Sequence, residues 1–241
     1  MILATEHRAD NRKIVREAAA VHLVRNHLIQ TLYKEKVPFD YALFVDDDMV
    51  PPPDALTTLL REERDMIGAV CTTRHPPLIL NVREPDDSEL IQMDIDNRGV
   101  FKVGAIGTAF LLVSRRVLDA VAEYTIRHTC FTRHYGMNAE VAAQQEKIMR
   151  GRFEVTGYVP WFEFLRHPGY ATELAEDFSF CMKARECGFE IFGDTRISVG
   201  HIDAGKNRMY TIEDYWKQPP PKRQVRRSDI QALLDEFNQI V

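Results

Sequence analysis

The stretch Tyr41-Ala-Leu-Phe-Val-Asp-Asp-Asp48 decides the fold that this sequence predicts, because a compact apolar run ends abruptly in three carboxylates. An uninterrupted run of this kind is typical of a strand that is covered on both faces of a sheet. Prolines 51–53 follow, and Ala55 to Arg61 is predicted to be a helix capped by Asp54. A buried strand, a turn and a helix in succession favour an α/β arrangement.

Further strand-like runs and helical periodicities alternate along the chain. The predicted strands lie at 2–5, 66–72, 109–113, 189–192 and 197–199. The predicted helices run from Asp10 to about Lys34 and cover 117–124 and 173–187, with an excursion at 81–99 and loops with short helices at 125–170. The alternation predicts an α/β fold with a mostly parallel sheet flanked by helices.

The amino-acid composition limits the classes of function that the chain can have. The chain has 241 residues, 45% hydrophobic and 28% charged, which suits one soluble α/β domain with a short appendage. Its net charge of −5 gives no electrostatic reason to expect a nucleic acid partner. The four scattered cysteines form no C-x-x-C pair, and neither a signal peptide nor a transmembrane run is evident. We therefore expect a cytoplasmic protein.

The composition changes after residue 215. Three prolines at 219–221 and a basic strip at 222–227 precede a predicted amphipathic helix capped by Ser228. We predict a catalytic domain at 1–215 and a linker with a C-terminal helix at 216–241. The basic strip is either a solvated linker or a contact for anionic lipid or a polyanionic acceptor, and a homo-oligomer is left open.

The three aspartates after the first buried strand indicate a metal site. Neighbouring carboxylates repel one another and lose solvation, so a cation would stabilise them. Ligands of open α/β sheets bind beyond the carboxyl ends of strands, where Asp46, Asp47 and Asp48 are expected. Hard oxygen ligands suit Mg²⁺ or Mn²⁺, which bridge carboxylates to a diphosphate. The alternative is a solvated acidic turn.

Two further motifs carry chemistry. Glu176-Asp177 begins a predicted helix, where a carboxylate is stabilised as the anion and suits a general base. Both acids could equally be ordinary first-turn residues. Gly200-His201 follows a predicted strand, and this histidine is either a metal ligand or a satisfied histidine at a sheet edge.

Together these motifs resemble those of the GT-A-fold glycosyltransferases, especially members similar to family 2. The matching segments are Asp40 to Leu56, Val103 to Val113 and Glu176 to Ile202, preceded by Arg25-Asn26-His27-Leu28. The resemblance covers roughly residues 20 to 205 and implies a GT-A-like (Rossmann-like) fold. Fewer than fifty residues precede Asp46, which implies an abbreviated N-terminal nucleotide-binding unit.

The resemblance implies roles for individual positions. Asp48 would ligate Mn²⁺ or Mg²⁺, Asp46 would contact the ribose or assist at the metal, and His201 would complete the metal shell. Asp177 would deprotonate the acceptor hydroxyl, and Glu176 would position acceptor or base. The reaction would move a sugar from a nucleotide-sugar donor to a glycan, lipid or protein acceptor, with inversion.

Weaker candidates complete the predicted site. The residues implied to contact the donor are Asp47, Arg25, Asn26, Arg74, Gly107 and Thr108. Trp161 and Tyr170 either stack on an acceptor sugar or pack in the core. Two other functions stay open: a glycosyltransferase-fold module that binds without turnover, and a metal-dependent nucleotidyl or phosphoryl transferase.

Overall fold

The computed structural model describes residues 2–4, 21–84, 98–128, 139–165 and 173–218. Several predicted features lie outside these ranges. They are the start of the first helix, most of the 81–99 excursion, Tyr170, the basic strip at 222–227 and the C-terminal helix.

The described chain alternates short strands with helices. The strands are β1 (Ile2–Ala4), β2 (Tyr41–Val45), β3 (Met49–Val50), β4 (Met66–Ala69), β5 (Val82–Arg83), β6 (Val100–Val103), β7 (Ala105–Ile106), β8 (Phe110–Ser114), β9 (Ile191–Asp194), β10 (Gly200–Asp203) and β11 (Arg208–Tyr210). The helices are α1 (Val21–Lys34), α2 (Ala55–Arg61), α3 (Arg115–Arg127), α4 (Ala139–Thr156), α5 (Glu176–Glu186) and α6 (Ile212–Lys217).

The main sheet is mixed rather than mostly parallel, which corrects the prediction. Its six strands have the order β1-β2-β8-β4-β9-β6. The pairs β1–β2 and β4–β9 are parallel, whereas β2–β8, β4–β8 and β6–β9 are antiparallel. The class is α/β, as predicted.

Strand β8 runs antiparallel to both of its neighbours in the main sheet. Only three residues, 107–109, separate β7 from β8, and Phe110 at the start of β8 pairs with Val45 at the end of β2. The chain therefore enters β8 at the edge where β2 ends, and the 107–109 connection is held at that edge.

The strands of the main sheet bury both faces, as the apolar run at 41–45 predicts. Successive side chains of a strand point to opposite faces, and Phe44 belongs to one core cluster whereas Leu43 belongs to another. Helices α1, α3 and α5 contribute residues to the first cluster, and α2 contributes Ala55 and Leu59 to the second. The sheet thus lies between two helical layers.

Three local predictions are corrected by the structure. Helix α4 is a continuous helix of 18 residues within the 125–170 region predicted as loops and short helices. The strand expected at 197–199 begins instead at Gly200. Asp54 occupies the N-cap position of α2, but its side chain makes no capping hydrogen bond.

Adjacent leucines on α2 test the second core cluster. Leu59 is fully buried, whereas Leu60 is 40% exposed. We expect Leu59→Ala to lower the free energy of unfolding by about 2–5 kcal/mol, because it removes buried contacts and leaves a cavity. Leu60→Ala is the matched control and should change it by less than about 0.5 kcal/mol. Chemical denaturation measures both, and equal losses would contradict the placement of α2.

Candidate active site

The acidic cluster lies in a tight turn where β2 ends. The Asp46 amide donates to the Ala109 carbonyl at 3.1 Å, and the Met49 amide donates to the Asp46 carbonyl at 3.1 Å. The chain then enters β3, which pairs antiparallel with β10 so that Met49 is opposite His201. This pairing brings the aspartate turn and the Gly200-His201 motif to the same edge.

Asp48 and His201 are in direct contact. His201 Nε2 lies 3.1 Å from Asp48 Oδ2, and His201 Nδ1 lies 2.7 Å from the Thr72 carbonyl oxygen. A carbonyl only accepts hydrogen bonds, so Nδ1 carries a proton and donates it to Thr72. The Asp48 carboxylate also only accepts, so the 3.1 Å contact is a hydrogen bond when Nε2 is protonated too. In the neutral ring the Nε2 lone pair would be left for a cation, as in metal-binding histidines.

Each partner stabilises the charged form of the other. Burial disfavours the Asp48 carboxylate, but the hydrogen bond and charge of His201 and the charge of Arg74 outweigh it and lower the pKa of Asp48. Burial likewise disfavours protonated His201, but bonds to Asp48 and to the Thr72 carbonyl outweigh it and raise the pKa of His201. Because metal ligands must release their protons, a cation at this pair would compete with the His201 proton.

Arg74 is the second cation beside Asp48. Its Nη1 lies 3.2 Å from Asp48 Oδ2, and its side chain is 54% exposed. Asp47 is also exposed. Arg74, beside the acidic turn, and Asp47, within it, are thus both accessible from solvent.

A buried arginine joins the first motif to the Glu-Asp motif. Arg25 Nη2 donates to Asp46 Oδ1 at 2.8 Å and Nη1 donates to Glu176 Oε1 at 3.2 Å, while the Arg25 side chain is only 4% exposed. Its guanidinium carbon lies 5.7 Å from the centre of the Phe162 ring. Arg25 therefore fixes two carboxylates that are 130 positions apart in the sequence (Asp46 and Glu176).

The surroundings of Asp177 raise the pKa of its carboxyl. Burial, followed by the charge of Glu176, raises the pKa of Asp177 to about 6, against smaller opposing effects of the Phe178 amide and Arg25. Asp177 Oδ1 accepts the Phe178 amide at 2.8 Å. Its Oδ2 accepts no hydrogen bond from the described residues, so one carboxylate oxygen remains for a ligand.

Gly107 lies directly against Asp177. A Cβ at position 107 would lie 3.3 Å from Asp177 Oδ2 and 3.2 Å from Asn81 Nδ2. The Gly107 amide donates to the Asn81 carbonyl at 2.7 Å, which holds the 107–109 connection beside α5. The neighbouring Thr108 is buried, and its Oγ1 has no hydrogen-bond partner in the part of the chain that is described.

Two predicted contacts are placed in the core. Asn26 Nδ2 donates to the Phe162 carbonyl at 2.8 Å, and the Phe162 amide donates to Asn26 Oδ1 at 2.9 Å, so both ends of the Asn26 amide are bonded to the Phe162 backbone. Trp161 is fully buried and its Nε1 donates to the Leu118 carbonyl. A side chain without exposed surface offers no face to a sugar, and we therefore no longer assign Trp161 to the acceptor.

The donor set at this edge provides two adjacent ligands for a cation. Over the described ranges, no group of three histidine, cysteine, aspartate or glutamate side chains is arranged to hold a metal. Asp46 Oδ1 is turned to Arg25, which leaves Asp48 and His201 as the pair in contact. Mg²⁺ and Mn²⁺ that bind through substrate phosphates need only one or two protein ligands, so the pair fits such an ion.

Sequence reasoning missed three contributors to this site. Thr72 ends a predicted strand and Asn81 begins the predicted excursion at 81–99, but no motif marks either residue. Cys71 also lies in no motif, and only the structure shows that it is close to Asp46 and Asp48. Burial, together with the charges of Asp46 and Asp48, raises the pKa of the Cys71 thiol. The polar residue at 81, directly after an apolar run, is the one signal that could have been noted.

The fold and the site define an α/β protein with an acidic site at the edge of a mixed sheet. No protein-family model matches the chain, and no curated protein matches it either. A solved structure similar to it is A197 from STIV, at 12% identity and a TM-score of 0.42, covering 85% of this chain and 79% of that chain. A similarity at this level carries no argument about fold or function.

None of the helices α1 to α6 combines the length and the apolar composition that crossing a bilayer requires.

The buried bridge made by Arg25 predicts a large effect on stability. Arg25→Met leaves Asp46 and Glu176 without their shared counter-ion, and we expect a loss of about 3 kcal/mol in the free energy of unfolding. Arg74→Met is the matched control, since its exposed ion pair with Asp48 is worth less than about 1 kcal/mol. Urea denaturation of both variants measures the difference, and equal values would argue against the bridge.

The raised pKa of Asp177 predicts a stability that depends on pH. Because the pKa of the Asp177 carboxyl is higher in the folded than in the unfolded state, the folded state loses stability as the pH rises from about 4 through about 6. Asp177→Asn removes that loss and keeps the acceptor for the Phe178 amide. We expect the variant to exceed the wild type by up to about 3 kcal/mol at pH 8 and by little at pH 4. A difference independent of pH in denaturation experiments would refute this.

Proposed function

We propose that this protein is a metal-dependent glycosyltransferase of the GT-A-like type, which moves a sugar from a nucleotide-sugar donor to an acceptor hydroxyl with inversion. The observation that carries the proposal is the convergence of three motifs at one sheet edge. The Asp48–His201 pair lies on one side of the acidic turn, and Arg25 ties Asp46 to the Glu176-Asp177 element on the other.

The Asp48–His201 pair supports the choice of a divalent cation. These residues would hold Mn²⁺ or Mg²⁺ together with the donor diphosphate, and the ion would supply charge neutralisation for the departing nucleoside diphosphate. Arg74, exposed and 3.2 Å from Asp48, is placed where it can meet a phosphate oxygen. The edge that is rich in carboxylates would thus also provide two cations for the diphosphate, the divalent ion and Arg74.

The state of Asp177 supports the base role. A general base works best when its pKa lies near the operating pH, and a pKa of about 6 leaves the carboxylate ionised at neutral pH yet able to take a proton. Arg25 keeps Glu176 fixed beside it. Asp177 Oδ2 would receive the proton of an acceptor hydroxyl as its oxygen attacks the anomeric carbon.

The proposal predicts different losses of donor binding and turnover for Asp48→Ala and Asp177→Asn. We expect Asp48→Ala to abolish both the Mn²⁺-dependent thermal stabilisation by a nucleotide-sugar and its turnover. Asp177→Asn should retain the stabilisation but lose turnover by about 10²–10⁴-fold. A panel of UDP- and GDP-sugars with Mn²⁺, assayed by melting temperature and by release of nucleoside diphosphate, measures both properties.

Asp54→Ala provides the matched control, because Asp54 is exposed and its side chain makes no capping bond. It should behave as the wild type in both assays. Turnover unchanged in the Asp48 and Asp177 variants would refute the proposal. Stabilisation of the wild type without any release of nucleoside diphosphate would instead indicate a binding module.

A further inference from the structure

Two polar atoms flank the bare Cα of Gly107. Asn81 Nδ2 lies 3.2 Å from the position that a Cβ of residue 107 would take, and Asp177 Oδ2 lies 3.3 Å from the same position. Asn81 Cβ also lies 3.2 Å from that position, so the point is crowded. The absence of a side chain at residue 107 is what lets an amide donor and a carboxylate oxygen of helix α5 approach it together.

Both atoms have hydrogen-bonding capacity to spare. Asn81 Oδ1 is used by the Cys71 amide at 2.8 Å, whereas Nδ2 makes only a long bond of 3.4 Å to the Gly107 carbonyl. An amide nitrogen has two hydrogens, so at least one is unused by the described residues. Asp177 Oδ2 likewise has unused capacity among the described residues, since the Phe178 amide donates to Oδ1.

The segment that carries Asn81 is held in place by backbone bonds. The Asn81 amide donates to the Cys71 carbonyl at 3.0 Å, and the Asn81 carbonyl accepts the Gly107 amide at 2.7 Å. These bonds fix the relation between Asn81 and Gly107 without using the Nδ2 group. A polar group that is firmly positioned and incompletely bonded is suited to bind a ligand rather than to support the fold.

We propose that Asn81 Nδ2 and Asp177 Oδ2 together bind the acceptor hydroxyl, and that the missing side chain of Gly107 allows these two atoms to converge. The hydroxyl donates its proton to Asp177 Oδ2 and accepts a hydrogen bond from Asn81 Nδ2. This assignment rests on the proposed function, because it needs Asp177 as the base. It places Gly107 on the acceptor side of the site, whereas the resemblance to glycosyltransferases implied a donor contact.

Asn81 and Asp177 together orient the reacting hydroxyl. A hydroxyl oxygen that accepts from Asn81 and donates to Asp177 has its remaining lone pair oriented by two fixed groups, as in-line attack requires. Its proton goes to Asp177 Oδ2, its oxygen forms the new bond to the anomeric carbon, and the nucleoside diphosphate leaves with the electron pair of the broken bond. Asn81 takes no proton and serves as an acceptor-binding residue.

Asn81→Asp tests the amide donor. The aspartate retains an oxygen for the Cys71 amide but removes the Nδ2 donor and places a carboxylate opposite Asp177. With the UDP- or GDP-sugar and the methyl hexoside that the wild type uses fastest, we expect the acceptor KM to rise at least tenfold, in line with the loss of one hydrogen bond. The Mn²⁺-dependent melting shift produced by the donor should not change. Asn207→Asp, at an exposed position, is the matched control.

Gly107→Ala tests the missing side chain without changing Asn81. The added methyl group would lie between the two polar atoms, and we expect the same rise in acceptor KM with an unchanged donor shift. Gly151→Ala is the control, because nothing lies within 4 Å of the added carbon there. Melting temperatures without ligand report whether either variant is folded.

The outcomes separate the two proposals. A wild type that transfers sugar, with Asn81→Asp and Gly107→Ala at unchanged acceptor KM, overturns the assignment of the hydroxyl site alone. A fall in kcat or in donor-induced stabilisation at constant acceptor KM overturns it too, since it indicates a positioning or donor role. A wild type that binds and cleaves none of the nucleotide-sugars refutes the proposed function, and the hydroxyl site with it.

Discussion

The site depends on how the protein accommodates several carboxylates at one edge of its sheet. Asp46, Asp48, Glu176 and Asp177 come from two distant segments, and like charges in partly buried positions repel one another. The buried guanidinium of Arg25 lies between the two groups and binds one member of each. A planar fork of donors is suited to such a bridge, because its two terminal nitrogens point in fixed directions and each binds one carboxylate.

The reversed strand β8 imposes the second constraint. Because its chain enters from the edge where β2 ends, the short 107–109 connection must cross the site instead of the opposite edge. That geometry puts Gly107 against Asp177 and Asn81. The antiparallel pairing of β3 with β10 has a similar effect, since it places His201 beside Asp48. Both features come from strand direction, which a mostly parallel sheet would not have produced.

The sequence predicted the parts of this site better than their relations. The apolar run at 41–45 predicted a buried strand, and β2 is buried on both faces because both layers of helices cover it. The sequence also predicted a helix at 173–187 with Glu176 and Asp177 in its first turns, and α5 covers Glu176–Glu186. Helix α4 was missed, because its partly buried Met149 and Phe153 are too few to make a strong apolar periodicity.

The amino-acid sequence by itself determined the α/β class, the buried strand with its three terminal aspartates, and the Glu176-Asp177 helix start, because each depends on local periodicity and on residue chemistry. Only the tertiary structure decided the direction of β8, the Arg25 bridge, the burial of Trp161 and the position of Asn81. These depend on which segments meet in space, and a pattern along the chain contains no information about a partner that lies a hundred residues away.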